Sequence, residues 1–483
     1  MLPLAPCRRL GCHLLLLALP STPGTATDWQ ADRGCRFRPL PVAAAGQPGF
    51  SLMSPEATGV AFTNVLSDTT AARNQVLLSG SGVALGDVDG DGRCDIYLCR
   101  LEGPNALYRN LGNWRFEAIT ETADVACPDQ YSTGAAFADV DGDGDLDLLV
   151  NGIGVGTRLF LNDGTGRFTE RLDAGLVRQY GSICMALGDL DGNGTVDLYV
   201  ANYRTSTVRS TGIDLIVSGG QRMIRPEDRD RLYVTSDGFI REYGEPDLCY
   251  LNDGQGRFRA LSWTDGAFLD ESGQPLREPP KDWSYSVALR DLNGDGAPDL
   301  YVCGDFWSVD RCWINEGHGR FRALPRSALP CTSSFSMGLD ITDLNRDGHD
   351  DLLVLDMLSP VHERRLVQTV LFGLEYQPIG YSVNRPEVGR NVLFLNRGDG
   401  SYTEIAQLAG LHATEWSWSP VFLDVDLDGY EDVLIPTGHG FDTQDVDAEE
   451  RIRTLGPWPR ERVPFKLLRS EEHTSELQSP NTI

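Results

Sequence analysis

Between residues 58 and 440 the apolar positions come in short runs punctuated by glycine, asparagine and aspartate. Runs of four to eight residues between turn signals predict strands, not helices. One stretch shows the order. Thr133 to Phe137 is a run of small residues that feeds the polar loop Asp139 to Asp147. Leu146 to Val150 leaves that loop as an apolar strand. Leu159-Phe160-Leu161-Asn162 follows and turns at an Asn-Gly-type signal into the aromatic-led strand Arg167-Phe168-Thr169-Glu170. Taken with the aromatic-led strand first, each unit predicts four short strands in about 50 residues.

The polar loop recurs six times. Its copies begin at Asp87, Asp139, Asp189, Asp291, Asp343 and Asp424. Every copy has Asp at positions 1 and 9, Asp or Asn at 3 and 5, and Gly at 6. Oxygen donors at alternate positions suit Ca²⁺, which takes six to eight hard oxygens, and glycine lets the backbone turn with φ > 0. An EF-hand would need a glutamate at position 12, but that position is Val150, inside a strand. The loop therefore joins two strands. Six concordant copies favour calcium over metal-free Asx turns, and Mg²⁺ prefers stricter octahedral sites.

The Asn-ended phrase recurs at Asn110, Asn162, Asn252, Asn315 and Asn396. Its distance from the loop start is normal in three units and long in two. That places insertions at about 204–245 and 358–390. The first carries a hairpin signal at Ser236-Asp237-Gly238. The second carries an amphipathic stretch, Val361 to Leu374, read as the chain's one helix. Repeated four-stranded units predict an all-β fold, a β-propeller, with a solenoid of hairpins as the alternative. Closure into a propeller removes exposed sheet edges.

These units resemble the FG-GAP/VCBS repeats of the integrin α-subunit propeller. The run Gly82 to Gly92, with the acidic charge and leader, resembles the ASPIC/UnbV, or cartilage-acidic-protein-like, family. The resemblance implies seven blades in the full protein and one Ca²⁺ per loop. It places side-chain ligands at positions 1, 3, 5 and 9 and a backbone carbonyl at position 7. In the first loop these are Asp87, Asp89, Asp91, Arg93 and Asp95. In the second they are Asp139, Asp141, Asp143, Asp145 and Asp147, and in the third Asp189, Asp191, Asn193, Thr195 and Asp197. The fourth has Asp291, Asn293, Asp295, Ala297 and Asp299, and the fifth Asp343, Asn345, Asp347, His349 and Asp351. The sixth has Asp424, Asp426, Asp428, Tyr430 and Asp432. The fifth loop departs from the pattern with Arg346 at position 4.

Charge narrows the partners. The chain has 70 acids and 42 bases, a net charge of −28, which disfavours nucleic acid. Residues 1–26 read as a secretory leader, with Arg8 and Arg9 before the apolar Leu10 to Leu19. No later run is long enough to span a bilayer. The reading is a secreted protein, or a periplasmic or cell-surface one in a bacterium. Residues 27–57 form a lead-in, 58–440 the propeller, and 441–468 the start of a further region. Arg469 to Pro480 reads as translated sequencing adapter, so 469–483 is set aside. Nine cysteines follow the leader, an odd number with no CxxC spacing.

No HExxH, GxSxG or phosphate-binding loop occurs. The expectation is a binding or adhesion module for extracellular protein or carbohydrate, with no enzymatic role. The alternative is a calcium-dependent polysaccharide-acting enzyme of the lyase type. Trp283, Tyr285, Trp307, Trp416 and Trp418 read as propeller packing, with a stacking rim around the channel as the other reading. Arg397-Gly398-Asp399 spells an integrin-recognition tripeptide, but it falls in the ordinary repeat turn.

Overall fold

The computed structural model describes residues 30–32, 35–37, 49–218, 221–235, 238–368, 385–439 and 445–447. The leader, the tail, Ser236, Asp237 and residues 369–384 lie outside them. The chain divides into two units, Met1–Gly49 and Phe50–Ile483. In the first, Gln30–Asp32 pairs with Cys35–Phe37 as a hairpin.

The second unit is a succession of antiparallel meanders. Sheet 1 runs Val83–Gly86, Asp95–Leu98, Ala106–Gly112 and Arg115–Ala118. Sheet 2 runs Tyr131–Ala138, Asp147–Ile153, Gly156–Asn162 and Phe168–Glu170. Sheet 3 runs Ser182–Gly188, Asp197–Asn202, Leu248–Asn252 and Phe258–Ala260. Sheet 4 runs Ser284–Arg290, Asp299–Gly304, Arg311–Asn315 and Phe321–Ala323, and Phe268–Leu269 is added in parallel to its outer strand. Sheet 5 runs Gly338–Thr342, Asp351–Leu355, Val392–Asn396 and Tyr402–Glu404. Val421–Leu423 and Asp432–Leu434 form a two-stranded sixth sheet. The aromatic-led strand thus ends a sheet and does not begin one, because its hairpin turn pairs it with the Asn-ended strand before it.

The first strand of each sheet lies beside the first strand of the next. The sheets therefore radiate from a shared axis as propeller blades do. Close approach at the axis explains the small residues. A Cβ on Gly82 would sit 3.0 Å from the Gly134 Cα, and one on Gly134 would sit 3.1 Å from the Ile183 carbonyl oxygen.

Packing between sheets explains the continuous apolar strands. Leu198 and Val200 join a cluster with Leu149, Leu159 and Phe258, while Tyr199 and Ala201 join one with Leu300, Trp313 and Phe321. Asp197–Asn202 is therefore buried along its whole length, so its apolar residues do not alternate. On the other face of sheet 1, Val83 and Leu85 are exposed.

Polar latches hold neighbouring sheets together. The Nδ2 of Asn162 donates to the Val88 carbonyl of the previous sheet's loop at 2.8 Å. Asn252 does the same to Val140, Asn315 to Leu190 and Asn396 to Leu292, at 2.8, 3.0 and 2.9 Å. At the opposite end, Asp247 of sheet 3 accepts from Tyr199 Oη at 2.8 Å and from Ser284 Oγ of sheet 4 at 2.7 Å. Asn105 links Tyr97 to Ser132 of sheet 2 in the same way.

Helices are short and not confined to the stretch expected. His362–Val367 is helical within it. Pro55–Thr58 and Asp68–Arg73 are also helical, and each is capped by the side chain of a preceding serine, Ser54 or Ser67. The 204–245 segment holds the hairpins Leu215–Ser218 with Gln221–Ile224 and Leu232–Val234 with Ile240–Glu242. Glu242 anchors it by ion pairs to Arg204 and Arg231 at 3.3 and 2.6 Å.

The loops need two left-handed residues, not one. Position 6 is glycine throughout, with φ between 82° and 96°. Position 4 is also left-handed. It is glycine in the first four copies, but Arg346 at φ 62° and Leu427 at φ 59° in the last two. A side chain there costs about 1–2 kcal/mol. The Arg346 guanidinium lies 3.7 Å from the Tyr430 ring centroid, which offsets part of that cost. Leu427 is 46% exposed and packs little.

Two substitutions test these features by chemical denaturation. Asn315→Ala removes the latch to the Leu190 carbonyl, which keeps the Gly319 N–H, and is expected to cost about 0.5–1.5 kcal/mol. Leu427→Gly relieves the left-handed strain and is expected to stabilise by about 1 kcal/mol.

Candidate metal centres

Each loop begins where the innermost strand ends and closes where the second strand starts. Its geometry follows from where the backbone hydrogen bonds go. The position 1 carboxylate accepts the N–H of position 6 in all six copies, at 2.7–3.1 Å. The side-chain oxygen at position 5 accepts the N–H of position 7, at 2.7–3.0 Å.

Position 9 does the most. One oxygen accepts the N–H of loop position 2 at 2.8–3.0 Å in all six copies. In five copies the other accepts the N–H of the Asn ending the third strand, at 2.7–2.9 Å. Asp95, Asp147, Asp197, Asp299 and Asp351 are fully buried, whereas Asp432 of the two-stranded sheet is exposed. Burial pushes the carboxyls of Asp147 and Asp197 up to about 6 and that of Asp299 to about 7, against the pull of those hydrogen bonds. Asp95 and Asp351 rise for the same reason.

In four loops the carboxylates of positions 1, 3 and 9 converge, with ligand atoms within 4.8 Å of one another. These are Asp87, Asp89 and Asp95; Asp139, Asp141 and Asp147; Asp189, Asp191 and Asp197; and Asp424, Asp426 and Asp432. Loops four and five carry Asn293 and Asn345 at position 3, so they have one carboxylate fewer there. Position 5 stands outside the carboxylate trios, engaged with the N–H of position 7. The six position 7 residues, Arg93, Asp145, Thr195, Ala297, His349 and Tyr430, meet position 5 through their N–H groups.

The donor set suits a hard cation. Asp89 Oδ1 and Asp141 Oδ1 are buried without a hydrogen-bond partner. Burial, then the neighbouring Asp143, holds Asp141 above the usual carboxylate range. An unpaired buried oxygen beside two more carboxylates favours a positive charge nearby. The integrin-type tripeptide does not share this chemistry. Asp399 Oδ1 accepts from the N–H and Oγ of Ser401, and the Gly398 N–H donates to Asn396, as the repeat turn requires.

The sequence signalled the carboxylates but not the latch. The recurrent Asn was legible only as a turn residue. Its role becomes visible once its side chain is seen reaching the previous sheet. The described cysteines, from Cys94 to Cys331, are all free.

The pattern of the FG-GAP-like repeat family matches residues 87–150, 291–354 and 381–435. Cartilage acidic protein 1 of Mus musculus is 32% identical over 111 residues, which cover 23% of this chain and 17% of that protein. Its Xenopus tropicalis counterpart is 33% identical over 305 residues, covering 53% of this chain and 44% of that protein. The chain thus spans less than half the length of the curated relatives it matches. Among solved structures, an Agrocybe aegerita lectin recognising non-reducing terminal N-acetylglucosamine aligns with 73% of both chains at 17% identity and a TM-score of 0.37. The V. cholerae biofilm matrix protein Bap1 aligns with 66% of this chain and 38% of its own at 17% identity and a TM-score of 0.33. Superpositions that loose carry no functional weight. The matches at 87–150 and 291–354 each span two complete loops and that at 381–435 spans the sixth, so the chain carries FG-GAP-like repeats there and is similar in sequence to cartilage acidic protein 1.

Proposed function

We propose that this is a secreted calcium-binding β-propeller that serves as an extracellular binding or adhesion module for protein or glycan ligands. The observation that carries the calcium reading is the convergence of three carboxylates in four loops, with buried oxygens of Asp89 and Asp141 left unpaired. The trio at positions 1, 3 and 9 supplies the charge. Position 5 and the position 7 carbonyl complete the expected oxygen set. Calcium there neutralises carboxylates that the fold has desolvated, and so ties each loop to its sheet. The name of the cartilage relatives supports an extracellular setting. No helix of the described residues is long and apolar enough to cross a membrane. The buried position 9 carboxylates are taken up by backbone N–H groups of their own loop and of the third strand, which favours a scaffold over an acid–base pair.

Melting curves test the calcium reading. A site held at a hundredfold excess over its dissociation constant contributes about 2.7 kcal/mol, or about 3 °C for a unit of this size. Chelation is expected to lower Tm by at least that, and Ca²⁺ to restore it. An unchanged curve would remove calcium from the account. Asp141→Asn is expected to shrink the calcium increment without lowering Tm in chelator, because it removes a repulsive charge.

The increment also depends on pH. In the cation-free protein, Asp147, Asp197 and Asp299 bind protons more tightly folded than unfolded. Their contribution to stability is full below about pH 4 and is lost as pH rises through about 6–7. Calcium offsets that loss. The calcium-induced rise in Tm should therefore grow from pH 5.5 to pH 8, and a pH-independent rise would contradict it.

A further inference from the structure

The ladder of the innermost strand slips by one residue at the same place in three successive sheets. The slips lie between Ser132 and Gly134, Ser182 and Cys184, and Ser284 and Ser286. The residues left over are Thr133, Ile183 and Tyr285, and all three line one cavity of about 630 Å³. A bulge turns a side chain out of its ladder and is common beside functional sites. Because the slips come at the start of the innermost strand and the metal loops at its end, the cavity lies at the opposite end of the axis from the loops.

One wall is aromatic. Trp418 and His439 line the cavity. The His439 ring stacks on Trp416 at 4.1 Å and 17°, and lies 6.3 Å from Trp418 at 20°. The Tyr285 ring is 6.3 Å from Trp418, at 34°. Lining residues besides this wall include the uncharged Ser79, Ser286 and Ser419, with Gly80 and Gly438. Among the lining side chains there is no carboxylate, ammonium or guanidinium, in a chain with 112 such groups, 70 acidic and 42 basic. An ionic ligand would enter without a counter-charge, which is costly. The volume is that of a small-molecule site, typically about 300–1,000 Å³.

We propose that this axial cavity binds a neutral saccharide unit. A sugar ring offers an apolar C–H face to the indole, and its hydroxyls match serine hydroxyls and backbone groups. The proposal rests on the binding-module reading and gives it a ligand class and a place.

Calorimetric titration and tryptophan fluorescence of the calcium-loaded full chain provide the test. The probes are cellobiose, lactose and N-acetylglucosamine, with glucuronic acid as the charged comparison, each at millimolar concentration. At least one neutral probe is expected to bind saturably and glucuronic acid not to bind. Trp418→Ala should weaken binding about tenfold or more. Ser419→Leu places apolar bulk at an exposed lining position, so the fold is spared, and it should weaken binding comparably. No binding by any neutral probe overturns the proposal while leaving the calcium reading to its own melting test. Binding unchanged in both variants overturns the assignment to this cavity but keeps a glycan-binding module. A preference for glucuronic acid overturns the neutral class.

Discussion

The constraint on which the rest depends is the buried carboxylate at position 9 of the first five loops. It accepts one N–H from its own loop and one from the strand two places on, so a single side chain fixes the loop, the second strand and the third. Burying it costs solvation that two neutral donors only partly return, as the raised carboxyls of Asp147 and Asp299 record. Two further carboxylates are gathered beside it in four of the loops. On the calcium reading proposed above, a cation would supply the balancing charge.

From that group the architecture extends outward through asparagine. The residue whose N–H reaches position 9 sends its side chain to the loop of the preceding sheet. Carboxylate loop, hairpin and neighbouring blade are therefore one connected polar system. The apolar clusters between sheets fill the space beneath it. At the other end of the strands, buried hydrogen-bonded groups such as Tyr199, Asp247 and Ser284 do the joining. The two ends differ in chemistry: one gathers charge, and the other surrounds a neutral axial cavity.

Much of this was legible in the sequence, for physical reasons. Alternate oxygens and an obligatory glycine at position 6 leave few backbone solutions, so the loop and its flanking strands could be placed from Asp139 to Val150 alone. What was not legible depends on contacts between repeats. Position 4 needs φ > 0 as well, but glycine there in four copies looked like composition until Arg346 and Leu427 were seen in the same region. The aromatic-led strand could be counted but not assigned to a sheet, because a hairpin turn carries no information on which unit owns it. The bulges at Thr133, Ile183 and Tyr285 left no mark in the pattern, since one extra residue in a run of small ones does not disturb its polarity.

The most direct test of the account is to count bound calcium. Metal-free protein equilibrated with Ca²⁺ and analysed for bound metal should hold at least four ions per chain, one for each carboxylate trio, and lose about one with Asp141→Asn. Less than one ion per chain at saturating Ca²⁺ would contradict it.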